Sequence, residues 1–359
     1  ETLFRQGSGV TYRIPALLYI PREQSFLAFA EKRSSPRDED AKYLVLRRGH
    51  RHGSSVKWGP VEELPALVLP GHRTMNPCPL YDAGSGTVFL FCICVERGKS
   101  EQWQIWRGSS AARLCFTASA DGGRAWAPLR DVTDEAVGAD LFRWATFAVG
   151  PGHGVQLSSG RLVVPAYAYR KHRALRLPCL TRQHSHVFYS DDGGRRWHKG
   201  APLAGGPTGE CQVAEIRGDH PPLLYCSART PRCCRAVALS FDRGLHFQRP
   251  ERCLALAEPP QGCQGSVVSF AAPTSSGTSE STWLLYSHPT DRHRRRDLGI
   301  YVTPRPLDGA GWRRPWVVHE GPAGYSDLAA CPGGVFGCLF ERGTASACEE
   351  IAFCLLGLR

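Results

Sequence analysis

Short apolar runs recur along the whole chain and stop at Gly or Pro. The clearest are Ala16–Ile20, Phe26–Ala30, Tyr43–Leu46, Val88–Ile93, Arg161–Ala168, Pro222–Cys226, Ser266–Phe270 and Trp283–Ser287. Their brevity and their Val, Leu, Phe and Tyr content predict β-strands, punctuated by 38 Gly and 27 Pro. Helical periodicity is confined to a turn or two at Asp131–Leu141. The expectation is an all-β protein. Two polar segments, basic Arg170–His184 and Ser/Thr-rich Ala271–Thr282, read as surface loops or insertions. Strand-like runs resume on both sides of each, so residues 1–359 are expected to form a single domain.

One pattern repeats. Ser119-Ala120-Asp121-Gly122-Gly123-Arg124-Ala125-Trp126 matches Ser190-Asp191-Asp192-Gly193-Gly194-Arg195-Arg196-Trp197, and a worn copy runs from Ser240 through Asp242 and Gly244 to Phe247. Each follows a β-rich segment: Leu114–Ala118, Val187–Tyr189 and Ala236–Leu239. An Asp in such a turn hydrogen-bonds its own backbone, and the aromatic can pack back between sheets. One copy is a generic hairpin turn; three predict a repeated four-stranded unit, the blade of a β-propeller. Six blades of about 60 residues fit the length.

Composition narrows the partners. The formal charge of +11 suits nucleic acid, an anionic membrane or an anionic small substrate. Nucleic acid is disfavoured, because no helix-turn-helix, zinc-finger or RNA-binding signature occurs. No apolar run approaches the ~18 residues of a membrane span, and the start at Glu1 lacks a signal-peptide pattern. The 15 Cys, many within strand-like runs, are expected to be reduced, buried thiols. They lack zinc-ligand spacing, so no metal site is expected.

In a propeller, polar residues gather at the channel mouth, on strand ends and connections. Tyr12-Arg13-Ile14-Pro15, Glu31-Lys32-Arg33 with its charged sequel to Asp40, Ser227-Ala228-Arg229-Thr230, and Arg294-Arg295-Arg296-Asp297 hold such places. Singly, each arginine reads as a solvated surface charge.

Taken together, Tyr-Arg-Ile-Pro followed by three Asp-boxes resembles the exo-α-sialidases (neuraminidases), six-bladed β-propellers. The resemblance to the animal members covers essentially the whole chain, through Gly71–Pro79, Trp144–His153, Gly262–Ser266 and Gly324–Leu328. Details such as Trp283–Thr290 resemble the plasma-membrane-associated, ganglioside-cleaving branch. The resemblance implies that Arg13, Arg229 and Arg295 grip the sialic acid carboxylate, with Glu341 orienting Arg13. Guanidinium forks suit a planar anion. A carboxylate nucleophile would meet that same charge, and the family uses a neutral tyrosine, here Tyr325. A phenol needs a base; Glu210 matches it. On the residues alone Glu215 is a rival, five positions on and so on the opposite strand face.

Asp38 matches the general acid/base, in a loop expected to be mobile and to close on substrate. Arg33, Met75 and Asn76 match the O4 and N-acetyl side of the pocket. Glu101, in a loop departing from its relatives around Trp103 and Trp106, matches the glycerol side with Tyr167 and Tyr169. The implied activity is release of terminal sialic acids from gangliosides or glycoproteins, with retention and without any cofactor. A catalytically inactive sialic-acid-binding propeller, a trans-sialidase and an interaction scaffold are the alternatives. The implied location is peripheral to the plasma membrane, with endosomal or lysosomal membranes or cytosol as alternatives; oligomeric state stays open.

Overall fold

The computed structural model describes residues 1–171, 180–272 and 281–358. Every apolar run named above falls in a strand to within one residue, and the sheets are antiparallel meanders. The first holds Thr11–Ile20, Ser25–Arg33, Ala41–His52 and Ser55–Trp58; the second, His72–Asp82, Thr87–Glu96, Ala112–Ser119 and Arg130–Asp131. The third holds Trp144–Val149, Leu162–Lys171, Thr181–Ser190 and His198–Lys199; the fourth, Cys211–Ile216, Leu223–Ala228, Cys234–Ser240 and Glu251–Ala257. The last sheet runs from Ser266–Ala271 through Thr282–Pro289, Arg296–Thr303, Trp316–Cys331 and Val335–Arg342 to Glu350–Gly357. It ends on Thr2–Arg5, so the start of the chain pairs with its end. The arrangement is all-β and propeller-like, with apolar side chains packed between neighbouring sheets.

The three repeated turns share one set of hydrogen bonds. The Ser119, Ser190 and Ser240 hydroxyls donate to Asp121, Asp192 and Asp242 and accept from the amides of Gly123, Gly194 and Gly244. The aspartates accept from backbone amides three or four residues on. In the third copy Arg243 replaces the first Gly and holds φ at 61°. The aromatics pack on the preceding sheet. Fully buried Trp197 meets Phe91 edge-on at 4.5 Å, and Trp126 meets Phe29 at 6.1 Å.

Three expectations need correction. Arg170–His184 is not one loop: Leu162–Lys171 and Thr181–Ser190 pair as far as Lys171 and Thr181, and only residues 172–179 lie outside the described part. Likewise Ala271 and Thr282 are paired strand residues, with 273–280 outside it. Glu101 lies in a helix, Glu101–Arg107, rather than a loop. Ser100 caps that helix by accepting from Trp103 N, and Gly108 ends it. At Asp131–Leu141 a four-residue helix, Thr133–Ala136, leads into a 3-10 turn. Among the described residues 14 cysteines are free, with Cys233 exposed.

Candidate active site

In an antiparallel meander the start of the first strand and the end of the second share one edge of the sheet. Arg13, Met75 and Tyr325 lie near the starts of inner strand segments; Arg33, Tyr167 and Tyr169 lie toward the ends of second strands. Glu210 and Arg229 flank the first pair of the fourth sheet. These ends converge on a cleft of about 360 Å³. Every residue to which the resemblance gave a role lines it except Glu341, which stands behind Arg13.

Backbone irregularity brings the groups inward. Register shifts interrupt Thr11–Ile20 after Arg13, His72–Asp82 after Met75, and Trp316–Cys331 before Ser326. Ile14 and Asn76 adopt φ of 61° and 55°, each followed by Pro. Non-Gly residues there are strained, and buried glutamates capture the freed amides. Glu341 accepts from Ile14 N (3.0 Å) and Tyr325 N (3.0 Å), as well as from Arg13 Nε (2.6 Å) and Nη2 (3.3 Å). Glu31 repeats the device one sheet on. It accepts from Asn76 N at 2.7 Å and from Arg33 Nε at 2.8 Å, with Arg33 Nη2 ion-paired to the same carboxylate at 2.6 Å. Gly324 permits the Tyr325 contact, because a Cβ there would stand 2.4 Å from Glu341 Oε2.

Tyr325 occupies the centre. Its hydroxyl donates to Glu210 Oε1 at 2.5 Å and lies 3.2 Å from Arg229 Nη1. Arg229 Nη1 also donates to Glu210 Oε2 at 2.7 Å. The Arg13 and Arg295 guanidinium carbons lie 5.6 and 5.7 Å from the Tyr325 ring centroid. Three cations thus face one buried phenol. Each keeps nitrogen in reserve: among the described residues, Arg13 Nη1, Arg229 Nη2 and Arg295 Nη1 have no hydrogen-bond partner. Burial, then the Glu210 charge, push the Tyr325 pKa well above the ordinary tyrosine value against the pull of Arg229 and Arg295.

The rival candidates separate cleanly. Glu215 points elsewhere, accepting from Ser158 N and Oγ and pairing with Arg217. Arg294 and Arg296 are exposed, and neither lines the cleft.

Asp38 sits at the mouth with its side chain half exposed, accepting from Arg33 Nη1 at 2.8 Å. Arg73 donates to the Asp38 carbonyl, and Ser35 and Arg37 donate to Asp40, so hydrogen bonds pin the loop at several points. On the far side Tyr169 donates to Glu101 Oε1 at 3.2 Å. Burial, then the charges of Asp38 and Glu210, raise the Glu101 pKa to about 7. The Tyr167 and Tyr169 rings, edge to face at 6.3 Å, line that wall.

The sequence assigned no role to Glu31, Gln183 or Arg73. Glu31 reads as a strand-end charge but is fully buried. Gln183 falls inside the segment read as a loop, yet pairs with Tyr169 and lines the cleft.

The fold and this cationic cleft define a carbohydrate-active enzyme for an acidic sugar. Comparisons with known proteins agree. Residues 24–338 match a BNR repeat-like domain. Sialidase-3 of Homo sapiens is 55% identical over 388 aligned positions, covering 98% of this chain and 90% of that protein. Sialidase-2 of Mus musculus is 44% identical, covering 100% and 95%. A Hadza microbial sialidase superposes with a TM-score of 0.79 at 24% identity, covering 97% of this chain and 66% of that one. The intramolecular trans-sialidase of Ruminococcus gnavus superposes at 0.76 and 16%, covering 99% and 97%. The chain belongs to the animal sialidase family of glycoside hydrolases.

Proposed function

We propose that the cleft releases terminal sialic acid with retention, Tyr325 acting as nucleophile, Glu210 as its base and Asp38 as general acid/base. The observation that carries this reading is the Tyr325 hydroxyl held at 2.5 Å by Glu210 beneath three guanidinium groups. A raised phenol pKa means that an uncharged oxygen meets the substrate carboxylate, avoiding repulsion that low dielectric would magnify. The free nitrogens of Arg13, Arg229 and Arg295 receive that carboxylate. As Tyr325 attacks the anomeric carbon, its proton passes to Glu210. The glycosidic C–O bond breaks, and Asp38 protonates the departing alcohol. Water, deprotonated by Asp38, then cleaves the sialyl-tyrosine bond, and Glu210 returns the proton to the phenol. Two inversions give retention.

Arg33, Met75 and Asn76 serve the O4 and N-acetyl side; Glu101, Tyr167 and Tyr169 serve the glycerol side. Six blades are inferred because Trp316–Cys331 pairs with Arg296–Thr303 through its first half and with Val335–Arg342 through its second, making two blades of one sheet. The Ser-x-Asp turns are then Asp-boxes at blade corners, within one domain.

Gangliosides are the favoured substrates, and the enzyme works peripheral to the plasma membrane. No helix among the described residues is long and apolar enough to cross a membrane. Exposed Trp106 and Phe142, on elements that both pack against Trp144–Val149, together with the net charge of +11, support surface attachment.

The test is sialic acid release from a fluorogenic sialoside and from a ganglioside, with the first-formed anomer followed by NMR. Initial release of the β-anomer from an α-sialoside would refute the mechanism, and absence of turnover would refute the activity. Sedimentation with phosphatidylserine vesicles, comparing wild type with Trp106→Ser/Phe142→Ser, tests attachment; equal binding would remove the assigned surface.

A further inference from the structure

Two of the three cleft arginines lean on the same short strap. Arg229 Nε donates to the Gln261 carbonyl at 2.9 Å, and Arg295 Nη2 donates to the Gly262 carbonyl at 3.0 Å. The strap is a turn closed by Gly262 N donating to Pro259 O at 2.8 Å, with Pro260 at its second position. Gln261 and Gly262 have φ of 64° and 68°, consecutive left-handed residues. A type II turn needs one such residue at its third position, usually Gly. Using Gln there and extending the left-handed stretch is unfavourable, so the surroundings must hold it.

Those surroundings are a buried ionic cluster beneath the cleft. Glu258 Oε2 accepts from Cys263 N at 2.8 Å and faces His288 Nε2 at 3.1 Å. Glu258 Oε1 accepts from Arg235 Nη1 at 2.8 Å and from Thr230 N, the residue after Arg229, at 3.4 Å. Arg235 also donates to Cys263 O and to both oxygens of Ser227. Arg235, Glu258 and His288 are all essentially inaccessible. Burial works to raise the Glu258 pKa, but Arg235 and His288 overcome it and hold the carboxyl at about 2. One anion therefore ties both ends of the strap to the strand end carrying Arg229.

We infer that Glu258, backed by Arg235 and His288, is a positioning residue that sets Arg229 and Arg295 for carboxylate recognition through the Gln261 and Gly262 carbonyls. The inference rests on the proposed role of these arginines and adds the device that aims them. None of the three buried residues touches the cleft.

Gly262→Ala tests it without changing charge. Its Cβ would stand 2.5 Å from Thr230 O and 2.8 Å from Arg229 Cγ, forcing strap and arginine apart. Gly160→Ala is the control: it places alanine at φ 86° with nothing within 4 Å, so it carries the backbone penalty far from the cleft. The readouts are KM for a fluorogenic sialoside and Ki for two inhibitors, 2,3-didehydro-sialic acid and its analogue with hydroxymethyl in place of carboxylate. On folded protein, Gly262→Ala should raise KM and the first Ki by about tenfold or more, the scale of a lost charge-assisted hydrogen bond. It should also shrink the preference for carboxylate over hydroxymethyl, while Gly160→Ala keeps both. Unchanged preference in folded Gly262→Ala overturns the inference. Should that variant not fold, Glu258→Gln, which removes charge but little volume, decides by the same ratio. Wild type failing to prefer the carboxylate would instead indict the arginine triad itself.

Discussion

The Tyr325 hydroxyl and the Glu210 carboxylate, 115 residues apart, share a 2.5 Å hydrogen bond whose acceptor is also clamped by Arg229. A proton can leave the phenol along that bond without any movement of the backbone. Arg229 holds Glu210 in the orientation that the proposed base needs.

Tyr325→Phe removes the oxygen proposed to attack and leaves the ring. Turnover of a fluorogenic sialoside should fall on the order of a thousandfold or more. The Ki of 2,3-didehydro-sialic acid should move much less, since the arginines remain. Equal turnover in both proteins would mean that another group attacks.

Asp38→Ala should separate substrates by leaving group. General acid catalysis contributes roughly 10²–10⁴-fold. Loss of that order is expected for ganglioside or sialyllactose, whose leaving alcohol needs a proton, and a smaller loss for an aryl sialoside, whose phenol does not. Parallel losses on both would assign Asp38 to binding.

Glu341→Ala strips four donors of their acceptor and leaves Arg13 a partly buried, unpaired cation. Breaking a buried pair from one side costs about 3–5 kcal/mol. A lower denaturant midpoint at unchanged slope is the expected signature. Glu341→Gln, retaining shape, should lose less, and a midpoint equal to wild type for Glu341→Ala would contradict the geometry.

Glu101 should tie stability to pH. Its ordinary value of 4.5 rises to about 7 in the folded chain, so folding takes up a proton between those limits. The associated stability is full below about pH 4.5 and disappears as pH climbs through about 7. Glu101→Gln, neutral throughout, should therefore gain on wild type steadily across that window in denaturation series at fixed ionic strength. A constant difference between the two proteins would show that Glu101 does not titrate there.

The strand runs and the Ser-x-Asp turns were legible in the linear chain because both are local: four to eight apolar residues, or one turn closing on its own backbone. The chemical inventory was equally readable once the motifs stood together. The helix Glu101–Arg107 escaped notice because two turns are too short to show a period, although Ser100 and Gly108 mark its ends. What only the tertiary structure decided was direction. Glu210 and Glu215 are alike by composition, as are Arg294, Arg295 and Arg296, yet one of each set enters the cleft. Glu31 and Glu258, to which the sequence gave no role, prove to be buried anchors. Which way a side chain points depends on register, bulges and partners tens to hundreds of residues away, and no local pattern encodes those.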